Sequence, residues 1–291
     1  MRFSFSTSAF TGYPVIEAVD KIAAAGYEGV ELLADIPHLY AHTLREPDIK
    51  KLQAALSRTG LKVSNINANT VRGYYASGDG EPLFEPCLAD PDHDIRGWRI
   101  EYTKKCIDLA RVLGSESVSV TSGPIQPETT PEESIEFLKD SLRSIIRYAE
   151  DKKVRVGLEY EPGLLIESSS ELVCLINEIG SKYLGANLDL GHSYIIGEEP
   201  ESTLDLLDGR IFHVHLEDIK GGRKRFHLMP GAEGMDFGRL LRLFQMRSYN
   251  GFITVELYSQ LHRPEEAARR SLEFLKGLKL LKGSVLKNAS P

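Results

Sequence analysis

The sequence predicts an α/β chain folded as a single-domain (β/α)₈ TIM barrel. Strand-like and helix-like runs alternate eight times along the 291 residues, and such alternation implies parallel strands joined by crossover helices. Eight pairs are the number that closes a barrel. A doubly wound open sheet is the rival. It usually announces a nucleotide site with a glycine-rich first turn, and Phe5-Ser6-Thr7-Ser8-Ala9 has none.

The elements follow in order. Residues 3–6 alternate as a short strand, and 15–25 have helical spacing and end on Gly26, a C-cap candidate. Residues 29–33 (GVELL) form the second strand, and 48–58 the second helix, closed by Gly60. The third pair is 62–67 and 98–113, ending at Gly114. Residues 117–121 (SVSVT) are strand four, and 131–151 a long helix. At its start Thr130 caps, Pro131 sits in the first turn, and Glu133 completes a capping box. Strand five is 154–160 with a helix at 169–179, and strand six is 185–190 with a short helix at 202–207. Strand seven is 211–216 with a helix at 237–246, and strand eight is 252–257 with a closing helix at 265–281. The barrel is expected to span 1–281 and residues 282–291 to form a frayed tail. One connection is out of proportion: 70–96, with Pro82, Pro86 and Pro91. A loop this long is usually functional or disordered. On the catalytic face of a barrel it reads either as a lid or as a surface insertion.

Composition narrows the function classes. The chain is 42% hydrophobic and 26% charged, ordinary for a globular protein with one large core. Its 35 basic and 42 acidic residues leave a net charge of −7, which repels phosphate backbones, so no nucleic-acid partner is expected. No apolar run approaches the ~20 residues that span a bilayer, and Met1-Arg2-Phe3-Ser4 opens no secretory signal. Cys87, Cys106 and Cys174 are too far apart for a thiolate zinc site, and their odd count argues against a disulfide framework. They read as buried small apolar residues. The expectation is a reduced, cytoplasmic protein without a membrane partner, forming a homodimer or homotetramer.

In barrels the chemistry sits at the carboxyl ends of strands. Strand five ends Gly157-Leu158-Glu159-Tyr160-Glu161-Pro162, strand six Asn187-Leu188-Asp189-Leu190-Gly191-His192. Strand seven reads His213-Val214-His215-Leu216-Glu217-Asp218, and strand eight ends Thr254-Val255-Glu256-Leu257. Three carboxylates and an imidazole converging in one cleft repel and desolvate one another without a cation. Oxygen-rich ligation with one nitrogen suits Mn²⁺ first, with Mg²⁺, Co²⁺ or Zn²⁺ as alternatives. His213 and His215 share a strand face. His215 is favoured as ligand because it lies nearer the carboxyl end, leaving His213 packed or supporting. Glu159 is favoured over Glu161, which is left for substrate or a supporting role.

These motifs resemble the xylose isomerase-like TIM barrel superfamily, in particular the sugar phosphate isomerase/epimerase proteins that include tagatose 3-epimerases, inosose dehydratases and endonuclease IV relatives. The matching pieces are Leu158-Glu159, Asp189-Leu190-Gly191-His192, the His213–Asp218 run and Val255-Glu256. More loosely, His227 with the following Pro230–Phe237 stretch resembles a His…Gly-x-Gly-x-[Ile/Val]-Asp loop. The resemblance implies one divalent metal held by Glu159, Asp189, His215 and Glu256, with His192 facing the substrate. There are departures. The endonuclease relatives carry extra histidines on the third and fourth strands, whereas these end Asn65-Ile66-Asn67-Ala68 and Val120-Thr121-Ser122. Their later Asp-x-His becomes Arg225-Phe226-His227, which argues against a three-metal nuclease. Leu165 stands where the epimerase pattern has a substrate-binding Glu.

The expected activity is metal-dependent isomerisation or epimerisation of a small sugar, sugar phosphate or polyol. Glu159 and Glu256 would pass a proton on and off the carbon beside a ketone, through a metal-stabilised enediolate. If the neighbouring hydroxyl leaves instead, the same constellation is a dehydratase of a cyclic polyol, of inosose or dehydroshikimate type. A non-catalytic sugar-binding barrel is the third reading, which the presence of both glutamates opposes. Asp189 and Glu256 could also be core ion-pair residues. His192 reads as a substrate contact or a helix cap, and His227 as functional or on the surface. Lys220, Arg223, Lys224 and Arg225 form either a solvated turn or an anion clamp, with Arg223 the candidate substrate contact. Tyr13, His38, His42, Arg72 and Trp98 are further cleft candidates without an assigned role.

Overall fold

The structure is a computed structural model that describes residues 1–75, 83–220 and 226–278. Eight parallel strands close on themselves: β1 (Arg2–Ser6), β2 (Gly29–Leu33), β3 (Lys62–Asn67), β4 (Ser117–Thr121), β5 (Arg155–Glu159), β6 (Leu184–Asp189), β7 (Ile211–Leu216) and β10 (Phe252–Val255). β1 pairs with both β2 and β10, so no edge is left among them. β8 (Asp218–Ile219) and β9 (His227–Leu228) form a small antiparallel ribbon after β7. The outer ring is α1 (Val15–Ala24), α2 (Glu46–Thr59), α3 (His93–Leu113), α4 (Pro131–Lys152), α5 (Ser169–Ile179), α6 (Leu190–Ile196), α7 (Pro200–Leu206), α8 (Phe237–Met246) and α9 (Pro264–Gly277).

Alternation along the strands separates two environments. Val30, Leu32, Val118, Val120, Val156, Leu158, Val214 and Ile253 are buried in the core that joins strands to helices. The barrel interior is polar instead of aliphatic. Thr254 of β10 bonds to Ser4 of β1, to Ser64 of β3 at 3.4 Å and to His213 of β7 at 2.8 Å. Asn65 of β3 donates to Ser119 of β4 at 2.9 Å. Buried polar groups persist only when bonded, and here the bonds run across the barrel from strand to strand. They brace the layer above them, where the strand ends meet in register. Asp189 lies beside His215, and His215 beside Thr254, the second residue before Glu256.

Local signals terminate the helices as expected in several places. Thr130 and Glu133 form the capping box of α4, and Ser168 and Glu171 form a second one on α5. Gly60 closes α2 with φ +76°, a backbone region open to glycine but strained for other residues. Three expectations need correction. α3 begins at His93, not at 98, because the Asp92 carboxylate caps it by accepting from the backbone of Asp94 and Ile95. An unexpected helix, α6, follows β6 immediately, since Asp189 accepts from His192 N at 2.7 Å. Cys87 and Cys106 are buried, but Cys174 is exposed.

The long connection is shorter than expected and partly anchored. A 3₁₀ turn at Arg72–Tyr74 follows β3, and Cys87, Leu88 and Ala89 are fully buried before α3 starts. Residues 76–82 lie outside the described residues, as do Arg223 with its basic neighbours 224–225 and the expected tail 282–291. Among the described residues, no helix is long and apolar enough to cross a membrane.

Candidate active site

His215 stands at the centre of the carboxyl-terminal face, fully buried. Its Nδ1 is 3.2 Å from Glu159 Oε2, 3.6 Å from Glu256 Oε2 and 3.9 Å from Asp189 Oδ2. Its Nε2 is 2.7 Å from Glu31 Oε2. The four residues singled out in the sequence as ligands therefore converge on one point, each from a different strand end.

The donor set fits a divalent cation. With metal–ligand distances of ~2.0–2.2 Å, neighbouring donor atoms stand roughly 3–3.6 Å apart, close to the spacings around Nδ1. Asp189 Oδ2 is buried without a hydrogen-bond partner. Glu256 is pushed well above the usual carboxylate range, chiefly by burial and then by the charges of Glu31, Glu159 and Asp189, against the pull of His215. Asp189 itself is buried, which would raise it, yet the charges of His192 and His227 bring it down to about 2. His215 resists burial and is held well above the usual imidazole range, mainly by Glu31 and then by Glu256 and Glu159. One imidazole faces several buried carboxylates, and a cation among them would relieve their repulsion.

Above this cluster opens a cavity of about 370 Å³, lined by Glu159, Glu161, His192, His227, Glu256 and Tyr258 among others. Its size falls within the range of small-molecule sites. His192 Nδ1 lies 3.6 Å from Glu159 Oε1, and its Nε2 lies 3.9 Å from Glu161 Oε1. Of its two sequence readings, the helix cap belongs to Asp189 instead, and the imidazole faces the cavity. His227 is not on the surface. It is 2% exposed, its Nδ1 donates to the Glu256 carbonyl at 2.9 Å, and its ring lies 4.3 Å from that of Tyr258. The β8–β9 ribbon carries it inward, pairing His227 with Ile219. Burial is the main reason its imidazole drops to about 4, so it is neutral at physiological pH.

Of the further cleft candidates, Arg72 lines the cavity mouth. His38 instead anchors two backbone carbonyls, and Trp98 stacks on Tyr102 with centroids 5.2 Å apart. Asp35 holds the turn that carries Arg72, accepting from Thr70 Oγ1 and the Arg72 amide, each at 2.8 Å.

The model of the Xylose isomerase-like TIM barrel family matches residues 19–278. The chain belongs to this family. Fructoselysine 3-epimerase from Shigella flexneri is 26% identical over 286 residues, covering 96% of this chain and 98% of that protein. Inosose dehydratase from Clostridium botulinum (strain Eklund 17B / Type B) is 23% identical, covering 89% of this chain and 88% of that protein. Among solved structures, the E. coli 3-keto-D-glucoside 4-epimerase superposes with a TM-score of 0.78 at 20% identity, covering 95% and 99% of the two chains. The IOLI protein with a bound zinc atom gives 0.76 at 16% identity, covering 95% and 96%. The proteins it resembles thus include both epimerases and dehydratases.

Several residues of this barrel were not singled out in the sequence. Asn69 donates to Glu159 Oε2 at 2.8 Å, and Asn187 donates to the same oxygen. Asn67 donates to Glu256 Oε1 at 2.9 Å. Asn67 belongs to the strand end noted only for lacking histidine, and Asn69 follows two residues later. Two buried glutamates were also passed over. Glu31 sits in the run GVELL, where a charge amid apolar residues was the available signal. Glu217 is fully buried, and burial with the charge of Asp189 raises it well above the usual range. A Cβ added at Gly191 would lie 1.8 Å from Glu217 Oε1, so glycine is what lets α6 pass over that carboxyl.

Proposed function

We propose that the chain is a metal-dependent epimerase or isomerase of a small sugar, sugar phosphate or polyol bearing a ketone. Glu159, Asp189, His215 and Glu256 would hold the cation, and Glu159 and Glu256 would handle the proton. The observation that carries this reading is the placement of those two glutamates. Both line the same cavity, and both approach His215 Nδ1, at 3.2 and 3.6 Å. The epimerases among the relatives agree with it.

A divalent cation bound there supplies Lewis-acid polarisation of the ketone and its neighbouring hydroxyl, which acidifies the carbon between them. The chain's own groups do the rest. Each glutamate is aimed by an asparagine amide, Asn69 for Glu159 and Asn67 for Glu256. One glutamate takes the proton from the acidified carbon. The other returns a proton to the opposite face, giving an epimer, or to the former ketone carbon while the hydroxyl proton passes to the former ketone oxygen, giving an isomer. His192 and neutral His227 line the cavity where hydroxyl groups would sit and would orient them. Mn²⁺ is the cation to try first because the set is rich in carboxylate oxygen.

The second reading, dehydration, keeps the same first step and differs in the fate of the neighbouring hydroxyl. The inosose dehydratase relative favours it. A screen of ketoses, ketose phosphates and inososes with Mn²⁺ in D₂O, followed by NMR, separates the two. Epimerisation puts deuterium on the carbon beside the ketone, whereas dehydration produces an enone absorbance. Glu159→Gln and Glu256→Gln, each confirmed to retain metal, should lose about 10²–10⁴ in rate. A metal-loaded Glu256→Gln protein of normal rate would rule out the two-carboxylate mechanism.

A further inference from the structure

Glu31 has no part in the proton chemistry above, yet it is sealed from solvent at 0% exposure directly behind His215. Its Oε2 accepts from His215 Nε2 at 2.7 Å and from Asn65 Nδ2 at 2.9 Å, and lies 3.2 Å from His213 Nε2. Its Oε1 accepts from Asn67 Nδ2 at 3.2 Å. Both amides have their orientation fixed from the other end. Asn65 Oδ1 accepts from Ser117 Oγ at 2.9 Å, and Asn67 Oδ1 accepts from the Asn69 amide at 3.2 Å. Their nitrogens must therefore face the carboxylate.

An ionised carboxylate can only accept. Against it, His215 Nε2 must carry the hydrogen. An imidazole that ligates a cation has released its second proton and keeps one N–H, so its lone pair falls on Nδ1, the atom facing Glu159, Asp189 and Glu256. We propose that Glu31 is a positioning residue for the cation site: it holds His215 in the Nε2–H tautomer with Nδ1 as the ligand atom, and thereby sets the affinity for the metal. This rests on the reading of those four residues as the cation site. The asparagine pair ties the device to the chemistry as well, because Asn67 donates to Glu31 and Glu256 together. Rotation of Glu31 would disturb a ligand as well as the residue behind one. Partners of this kind generally contribute 10–100-fold to metal affinity.

The test is a calorimetric titration of the metal-free protein with Mn²⁺, comparing wild type with Glu31→Gln. Gln keeps the shape and one accepting oxygen, but its NH₂ must face a donor. The expected result is a loss of about 10–100-fold in affinity. ¹⁵N NMR of labelled histidines in wild type loaded with diamagnetic Zn²⁺ should show His215 protonated on Nε2, with that signature lost or mixed in the variant. A purely structural role would lower the melting temperature while leaving affinity and signature unchanged, and that result would overturn the proposal. If wild type itself bound no Mn²⁺, the cation site would fall, and Glu31 with it. Should Glu31→Gln fail to fold, Asn65→Ala decides. It removes one of the donors on Oε2, and a smaller loss of affinity is expected, whereas unchanged affinity counts against Glu31.

Discussion

Individual buried side chains in this barrel carry polar obligations that only a few partners can meet. His38 is one away from the chemistry. Its Nε2 lies 3.3 Å from Phe10 O and 3.1 Å from Tyr13 O, so the N–H on that atom bridges two carbonyls and ties the loop after β2 to the one after β1. Burial lowers its pKa below the ordinary 6.5, outweighing the two carbonyl bonds. A histidine lowered in the folded state stays neutral while its unfolded counterpart takes up a proton. Stability is therefore intact above pH ~6.5 and falls as the pH drops below it. Urea unfolding at stepped pH should show that decline. His38→Gln, which can still donate to a carbonyl, should make it shallower. An identical slope in the variant would assign the acid sensitivity to other groups.

At the level of elements, the strands were the legible part, because short strand-like runs alternate with longer helix-like ones. β2, β3, β4 and β7 fall at the bounds read from the sequence. Helix starts were less legible where the cap is also a functional residue. Asp189 caps α6 with Oδ1 and turns Oδ2 toward His215, so an isolated Asp-Leu-Gly-His motif hides a helix start inside a candidate ligand. The asparagines escaped notice for a related reason. An amide at a strand end is common, and only the fold reveals that its neighbour is a carboxylate from across the barrel. Gly191 gives the sharpest test at this scale. A methyl group there would collide with Glu217 Oε1, and Ile219 Cγ1 lies 2.8 Å from the same point. Gly191→Ala should cost about 1–3 kcal/mol as overpacking and displace the turn that carries His192. Loss of activity should exceed what the fall in stability explains. A variant as stable and active as wild type would show that Glu217 swings aside freely.

For the whole molecule, the barrel pairs an apolar shell between strands and helices with a polar interior that ends in a knot of buried carboxylates. Stability and function pull against each other in that knot. Glu256 is raised well above 4.5, first by burial and then by its acidic neighbours. The metal-free fold therefore loses stability as pH rises from the unfolded value through that raised pKa. A cation that binds only the folded chain reverses the balance by mass action, adding about 2.7 kcal/mol at a hundred times Kd. For a chain of this size that corresponds to a rise in melting temperature of about 5 °C, at roughly 2 °C per kcal/mol. Melting curves at pH 8, with Mn²⁺ and with a chelator, should differ by that order for wild type, and metal analysis should find close to one equivalent per chain. Glu256→Gln removes the unfavourable charge, so its chelated form should melt at or above chelated wild type while its gain from Mn²⁺ shrinks. The crossing of those two effects separates a cation site from an ordinary buried ion-pair cluster. In the latter, Glu256→Gln would lower the melting temperature under both conditions, and Mn²⁺ would shift neither protein.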